Sequence, residues 1–184
     1  MNISKHIENL ERDIKLIKLL SKVRFGVWCI WPILNDRGVI CFLNKVKSPN
    51  YCESLKAILV DLYLGNRCED KGELRSFVEG VEAFDWDHDG VAESEECASQ
   101  GAMDLLGGIS SLINGCIEGR DDYFANCAEV AINRLYYLVD FEILPEYLLD
   151  KEADNQVVAM NSLLNDGEDA LSLDDRDVWG GYGL

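Results

Sequence analysis

Apolar residues recur along this chain at three- and four-residue steps, the spacing of helices with one buried face. Ile7, Leu10, Ile14 and Ile17 mark the first, with Ser4 placed as its N-cap. Val23 to Leu34 is a second apolar stretch, holding Trp28 and Trp31, and Pro32 is expected to break it. Val39, Phe42, Leu43 and Val46 form a third stripe, closed by Ser48-Pro49-Asn50. Val39 to Phe42 is the one β-branched run of note, and it fits a helix equally well. Tyr51 to Leu64 places Leu55, Ile58, Leu59 and Leu62 on one face, with Gly65-Asn66 as a C-terminal stop. Leu74, Phe77, Val78, Val81 and Phe84 make an amphipathic helix.

Beyond an acidic loop, Ala98 to Ile117 reads as a long helix with Leu105, Leu106, Ile109, Leu112 and Ile113 inward. Gly107-Gly108 inside it costs about 1 kcal/mol of propensity per residue, which predicts close helix packing there. Asp121 is placed to cap a helix running to about Phe141, with Phe124, Ala128, Ala131, Leu135 and Leu138 inward. Pro145 marks the start of a last helix, extended by Val157, Val158, Leu163 and Leu164. The fold class is therefore all-α: a single-domain bundle of six to seven helices over residues 1–164. Residues 165–184 form an acidic, loosely ordered tail.

Length fits one domain, 184 residues, enough to bury roughly 70% of the unfolded chain's surface. The core needs no metal or disulfide to complete it. Seven cysteines stand at 29, 41, 52, 68, 97, 116 and 127, most of them inside apolar runs. With no secretory leader pattern and no membrane-length apolar run, they read as reduced core residues of a cytoplasmic protein.

Charge changes the picture more than length does. The net charge is −17 and is unevenly placed. Residues 1–48 carry nine Lys/Arg and four Asp/Glu, whereas residues 49–184 carry eight and thirty. Cys68 to Glu96 alone holds eleven acids against Lys71 and Arg75. Such a field repels nucleic acid and anionic membrane and draws in cationic surfaces. The expected partner is thus a basic protein, with no nucleic acid and no membrane. Glu79, Glu82, Glu95, Asp174 and Asp175 supply acids to that contact, and Trp86, Trp179 and Tyr182 are its aromatic anchors.

Residues Asp85 to Glu96 match the calcium loop of EF-hands at every defining position. Asp85, Asp87 and Asp89 occupy positions 1, 3 and 5, and Gly90 takes the sharp turn at 6. Val91 offers a carbonyl at 7, Glu93 a side chain at 9, and Glu96 two oxygens at 12. A hard cation needs six to eight oxygens, and alternate side chains on a tight loop converge to give them. Ala92 at position 8 and the absence of a second loop depart from paired EF-hands. The alternative is an acidic inter-helix loop whose glutamates favour the next helix's N-terminus. Calcium is the one cofactor the sequence suggests, and the fold does not require it.

No Cys-x-x-Cys pair, His-Glu-x-x-His, Gly-x-Ser-x-Gly or phosphate-loop motif occurs, and His6 and His88 stand beside no nucleophile motif. The sequence predicts a protein that binds rather than catalyses. The order Phe25-Gly26-Val27-Trp28-Cys29-Ile30-Trp31-Pro32, Leu55 to Leu62, an acidic stretch, then Gly101-Ala102-Met103-Asp104 opening a long helix resembles the YjaG-like family of helical bacterial proteins. That resemblance spans residues 5–140 and implies the helical fold; the Asp85–Glu96 loop departs from it as an insertion, and it supplies no site. As a class, the chain also resembles acidic bacterial immunity proteins, which neutralise toxin domains delivered by neighbouring cells, many of them cationic nucleases. Three functions follow as expectations: an immunity protein inhibiting a cognate basic toxin domain, a calcium-binding helical protein, or a metabolic or regulatory protein of YjaG-like fold.

Overall fold

The structure, a computed structural model, describes residues 2–66, 70–83 and 96–176. Among them it holds eight α-helices and no strand. These are α1 (Ile3–Ile14), α2 (Leu19–Leu34), α3 (Arg37–Val46), α4 (Tyr51–Leu64), α5 (Lys71–Glu82), α6 (Glu96–Glu118), α7 (Asp121–Asp140) and α8 (Tyr147–Asn165). Two 3₁₀ turns, Glu168–Ala170 and Asp174–Arg176, follow. The all-α architecture is as the periodicity predicts. The eight helices are close to the expected six or seven, and α2 and α3 are bent 85° from one another.

Helix α2 is the axis of the bundle. Val23, Phe25, Val27, Cys29, Ile30, Ile33 and Leu34 are all fully buried, so it is apolar nearly all round, as a core helix must be. It packs against α4, α6 and α7, and α6 lies along α7. Leu105, Ile109, Leu112 and Ile113 of α6 meet Phe124, Ala128, Ala131, Leu135 and Leu138 of α7 in one continuous core. Burying each such side chain contributes roughly 1.5–3 kcal/mol. Of the two glycines in α6, Gly108 does the close packing: a Cβ there would sit 2.8 Å from Ile30 Cγ2. Gly107 faces open space.

Four local expectations are corrected. The α1 cap is Asn2, whose side chain accepts from the Lys5 N–H at 3.0 Å, and Ser4 is already helical. Arg120, not Asp121, is the N-cap position of α7; Asp121 lies in the first turn, where it pairs with Lys22. Pro32 does not break α2 but lies inside it, within one turn of its end. There the missing N–H costs a single helical bond, to the Trp28 carbonyl.

The fourth concerns α8. Val157, Val158 and Leu164, the apolar residues that announce this helix, point outward. Its buried face is Leu148, Glu152, Ala153, Gln156, Ala159, Met160 and Leu163. Two polar residues at core positions hid that face from a hydrophobic pattern. Beyond α8, residues 166–176 of the segment expected as a loose tail lie against the bundle, with Leu171 and Leu173 packed on the core and Arg176 fully buried. Residues 177–184 lie outside the described residues.

No single helix among the described residues is long and apolar enough to cross a membrane. The bent α2–α3 pair passes on length and composition only, and most of its apolar residues are buried in the core.

Candidate partner-binding surface

Most residues singled out by the calcium-loop spacing fall outside the described ones. Asp85, Asp87, Asp89, Val91 and Glu93, with Trp86 and Glu95, lie there, as do Trp179 and Tyr182. So do the side chains of Glu96 and Asp175. The described helices end at Glu82 and resume at Glu96. Among the described residues no group of three His, Cys, Asp or Glu side chains is placed to hold a metal ion. Glu79 and Glu82 are exposed on α5, where Glu82 accepts from the Ser110 hydroxyl at 2.7 Å, and Asp174 is exposed in the second 3₁₀ turn.

The charges that are uneven along the sequence are mostly exposed in the fold. Among described residues up to 48, the exposed charged side chains are Lys5, Arg12, Lys15, Lys18, Arg37 and Lys45 against Glu8 alone. From 49 onward, fifteen acids are exposed against Lys71, Arg75, Arg120 and Lys151. The acid surplus is thus solvated surface, and it forms a negative field available to a partner.

One part of that surface is also apolar. At the junction of α7 and α8, Tyr136 and Phe141 are each 52% exposed, Ile143 42% and Tyr147 57%. Phe141 stacks on Tyr137 with ring centroids 4.5 Å apart. Asp140, Glu142, Glu146 and Asp150 are exposed along the same stretch of chain, which Arg134 and the exposed Lys151 flank. Beside Tyr136 opens a pocket of about 220 Å³, lined by Ile3, Tyr136, Glu146, Leu149 and Asp150.

The backbone at this corner is unusual. Glu142 has φ 57°, the one positive φ at a non-glycine among the described residues. It ends α7 in a paired-bond turn: Ile143 N–H donates to the Leu138 carbonyl at 2.9 Å, and Glu142 N–H to the Val139 carbonyl at 2.9 Å. Helix α4 ends in the same turn with Gly65 at φ 84°. A side chain in this left-handed conformation costs about 1–2 kcal/mol that glycine does not. Helical periodicity conceals the corner, because Phe141 falls at the end of the apolar pattern of α7; the alternation Asp140-Phe141-Glu142-Ile143 before Pro145 is the signal the sequence offers.

Two buried guanidinium groups hold the frame behind these surfaces. Arg134 of α7 donates to Asp36 Oδ2 at 2.7 Å and to the Cys97 carbonyl at 2.8 Å. Asp36 in turn caps α3, accepting from the Gly38 and Val39 N–H groups. Gly101 makes room, since a Cβ there would lie 2.6 Å from the Arg134 Cζ. Arg176 donates to Glu152 Oε1 at 2.5 Å and to the Trp28 carbonyl at 2.8 Å, and its guanidinium sits 3.9 Å from the Trp28 ring centroid. Gln156 continues the network, donating to Glu152 at 2.9 Å and accepting at 2.8 Å from His6, whose Nε2 carries the proton in that arrangement. Arg176 Nη1 and Glu152 Oε2 have no partner among the described residues.

Cys29, Cys52, Cys116 and Cys127 are core residues, whereas Cys97 is half-buried and Cys41 exposed. Burial pushes the Cys127 thiol up to about 12 and Cys52 up to about 11, and raises Cys29 well above its ordinary value. Such thiols stay protonated at neutral pH and make poor nucleophiles. Half-buried Asp104 is also raised by desolvation, against the opposing pull of its Gln100 hydrogen bond and of Arg134.

No family model, curated protein or solved structure matches this chain.

Proposed function

We propose that this chain is an immunity-type binding protein, which neutralises a cognate bacterial toxin domain of basic charge by holding it through an acidic surface. The observation that carries the reading is the exposed acid surplus after residue 48, fifteen carboxylates against four cations among the described residues. A surface of that sign speeds encounter with a cationic protein and disfavours nucleic acid as a competitor. For a nuclease toxin it would also mimic the charge of the substrate that the toxin's groove attracts.

The rigid frame suits such a task. Helix α2 and the two buried arginines fix the acid-bearing helices before the partner arrives, so little ordering cost is left for the complex. Coexpression with the toxin domain encoded beside this chain's gene is expected to restore growth. Association of the two purified proteins is expected to slow by about tenfold or more from 50 mM to 500 mM salt. Absence of both protection and complex formation would remove the reading.

A further inference from the structure

We infer that the cavity between the start of α2 and the end of α8 binds a free α-amino acid with an apolar side chain. The site stands whether or not the partner of this chain is a basic protein.

The cavity holds about 440 Å³, the size of a small-molecule site. Leu16, Ile17, Lys18 and Ser21 form one wall, and Leu163, Leu164 and residues 166–169 form the other. Ser21 is the residue that points to a ligand. It is only 4% exposed, yet it lines the cavity, and its hydroxyl has no hydrogen-bond partner among the described residues. Buried hydroxyls as a rule are paired, and a polar group held in the cavity supplies the missing acceptor.

Two helix ends of opposite sign meet at this space. Helix α2 starts at Lys18, its N-cap, with no side-chain cap and no acid in its first turn, so this end attracts negative charge. Helix α8 ends with no basic residue in its last turn, and Asp166 and Glu168 follow it, so that end attracts positive charge. Among the described residues neither the Asp166 nor the Glu168 carboxylate has a partner, and the Lys18 ammonium has none. Asp169, by contrast, is taken by Arg24 at 2.6 Å.

A zwitterion matches this polarity. Its carboxylate accepts from the Ser21 hydroxyl and the Lys18 ammonium at the α2 end, and its ammonium donates to Asp166 and Glu168 at the α8 end. Its side chain lies on Leu16, Ile17, Leu163 and Leu164, and covers part of Leu16, which is 72% exposed. Other occupants satisfy half of the lining. An inorganic anion leaves the two acids unpaired. A metal ion needs grouped ligands, and no three His, Cys, Asp or Glu side chains among the described residues are so placed. An internal peptide segment carries neither terminal charge. The wall that holds the ammonium belongs to the segment that returns to the core through Leu171, Leu173 and Arg176, so occupancy also fastens that segment.

Calorimetry and melting curves on the full chain, with L-valine, L-leucine, L-methionine and L-phenylalanine at millimolar concentration, test the inference. At least one is expected to bind, to raise the melting temperature and to slow amide exchange over residues 168–176. The amide of the tightest binder lacks the carboxylate and its N-acetyl form lacks the ammonium; each is expected to bind at least about tenfold more weakly. Ser21→Ala removes an unpaired buried hydroxyl. Its ligand-free melting temperature is expected to hold or rise while binding weakens by about tenfold, an outcome that misfolding would not give. Asp166→Asn/Glu168→Gln is expected to erase the preference for the free amino acid over its N-acetyl form. Lys151→Gln, an exposed change near the other end of α8, is expected to alter binding by less than about twofold. Absence of binding by all four amino acids would overturn the inference. So would equal binding of the amide and N-acetyl forms, or undiminished binding by Ser21→Ala.

Discussion

Arg134 reaches Asp36 at 2.7 Å and Arg176 reaches Glu152 at 2.5 Å, each pair almost without exposure. The two sites are alike in charge and burial, and they differ in what they join. Arg134 stands in the middle of α7 and ties the starts of α3 and α6 to it. Its carboxylate has a second duty as a helix cap, so neither residue can move alone. Arg176 stands at the end of a segment that follows the last long helix, and brings that segment onto α2 and α8. The carbonyl it takes belongs to Trp28, the residue whose helical partner would have been the missing N–H of Pro32. One buried ion pair is therefore part of the frame, and the other closes a strap over it. A buried pair adds little net stability, but removing one member is costly because the other is left charged in the interior. How that cost is met depends on what can move.

The largest effect belongs to Arg134. Arg134→Ala leaves Asp36 buried and half-satisfied, and leaves the Cys97 carbonyl without its guanidinium donor. None of the three helices can lift away without opening the core formed by Ile109, Leu135 and Leu138. The expected loss is about 3–5 kcal/mol of unfolding free energy, or roughly 6–20 °C in melting temperature for a chain of this size. Amide exchange is expected to rise throughout α3, α6 and α7. A drop of only a degree or two would mean that water reaches Asp36 without global opening, and the distinction between frame and strap would fail.

Arg176→Ala comes next, and its effect should be local. Glu152 faces the same penalty, but here the strap can yield. Residues 168–176 are otherwise held by Arg24 on Asp169 at 2.6 Å, by the Tyr63 hydroxyl on the Leu171 carbonyl, and by the packing of Leu171 and Leu173. If the strap lifts, Glu152 regains water, and the loss is capped at the docking free energy of that segment. The melting temperature is expected to fall by less than half the Arg134→Ala drop. Amide exchange over 168–176 is expected to rise by orders of magnitude while α6 and α7 stay protected. Uniform loss of protection across the chain would place the strap inside the cooperative core.

This difference also sets what could be read from the sequence. Helices α4, α5, α6 and α7 are legible because their buried residues are apolar and regularly spaced: Leu55, Leu59 and Leu62, or Leu74, Val78 and Val81. Arg134 falls on the same face as Leu135 and Leu138, yet a hydrophobic pattern scores it as an interruption. On α8 the helix is legible but its inward face only in part: Leu163 is buried, whereas Glu152 and Gln156 occupy the inward face beside it and Val157 and Val158 the outward one. A charge enters a core only when its partner arrives from elsewhere, and the partners here are 24 and 98 residues distant. Periodicity has no access to that distance. The aromatic corner was visible as residues but not as a surface, because only the fold shows that Tyr136 and Phe141 face water.

The smallest effect, and the sharpest comparison of the strap with the frame, comes from Pro32→Ala. The change gives α2 the missing N–H, which can donate to the Trp28 carbonyl now taken by Arg176 Nε. Alanine also gains helix propensity, whereas proline's restriction of the unfolded chain is lost, about 0.4–1 kcal/mol in the opposite sense. Pro32 is buried, so its ring leaves a small void as well. These terms oppose one another, and the net change in stability is expected within about 1 kcal/mol. The informative quantity is exchange over residues 174–176. A carbonyl oxygen has two lone pairs and can accept twice, but the two donors must then share the space beside the Trp28 ring. If the freed carbonyl is what seats the guanidinium, exchange in the second 3₁₀ turn rises in Pro32→Ala with the melting temperature nearly constant. Unchanged exchange there would assign the whole hold to Glu152 and the Trp28 face, and Pro32 would then be an interruption of α2 with no part in closing the strap.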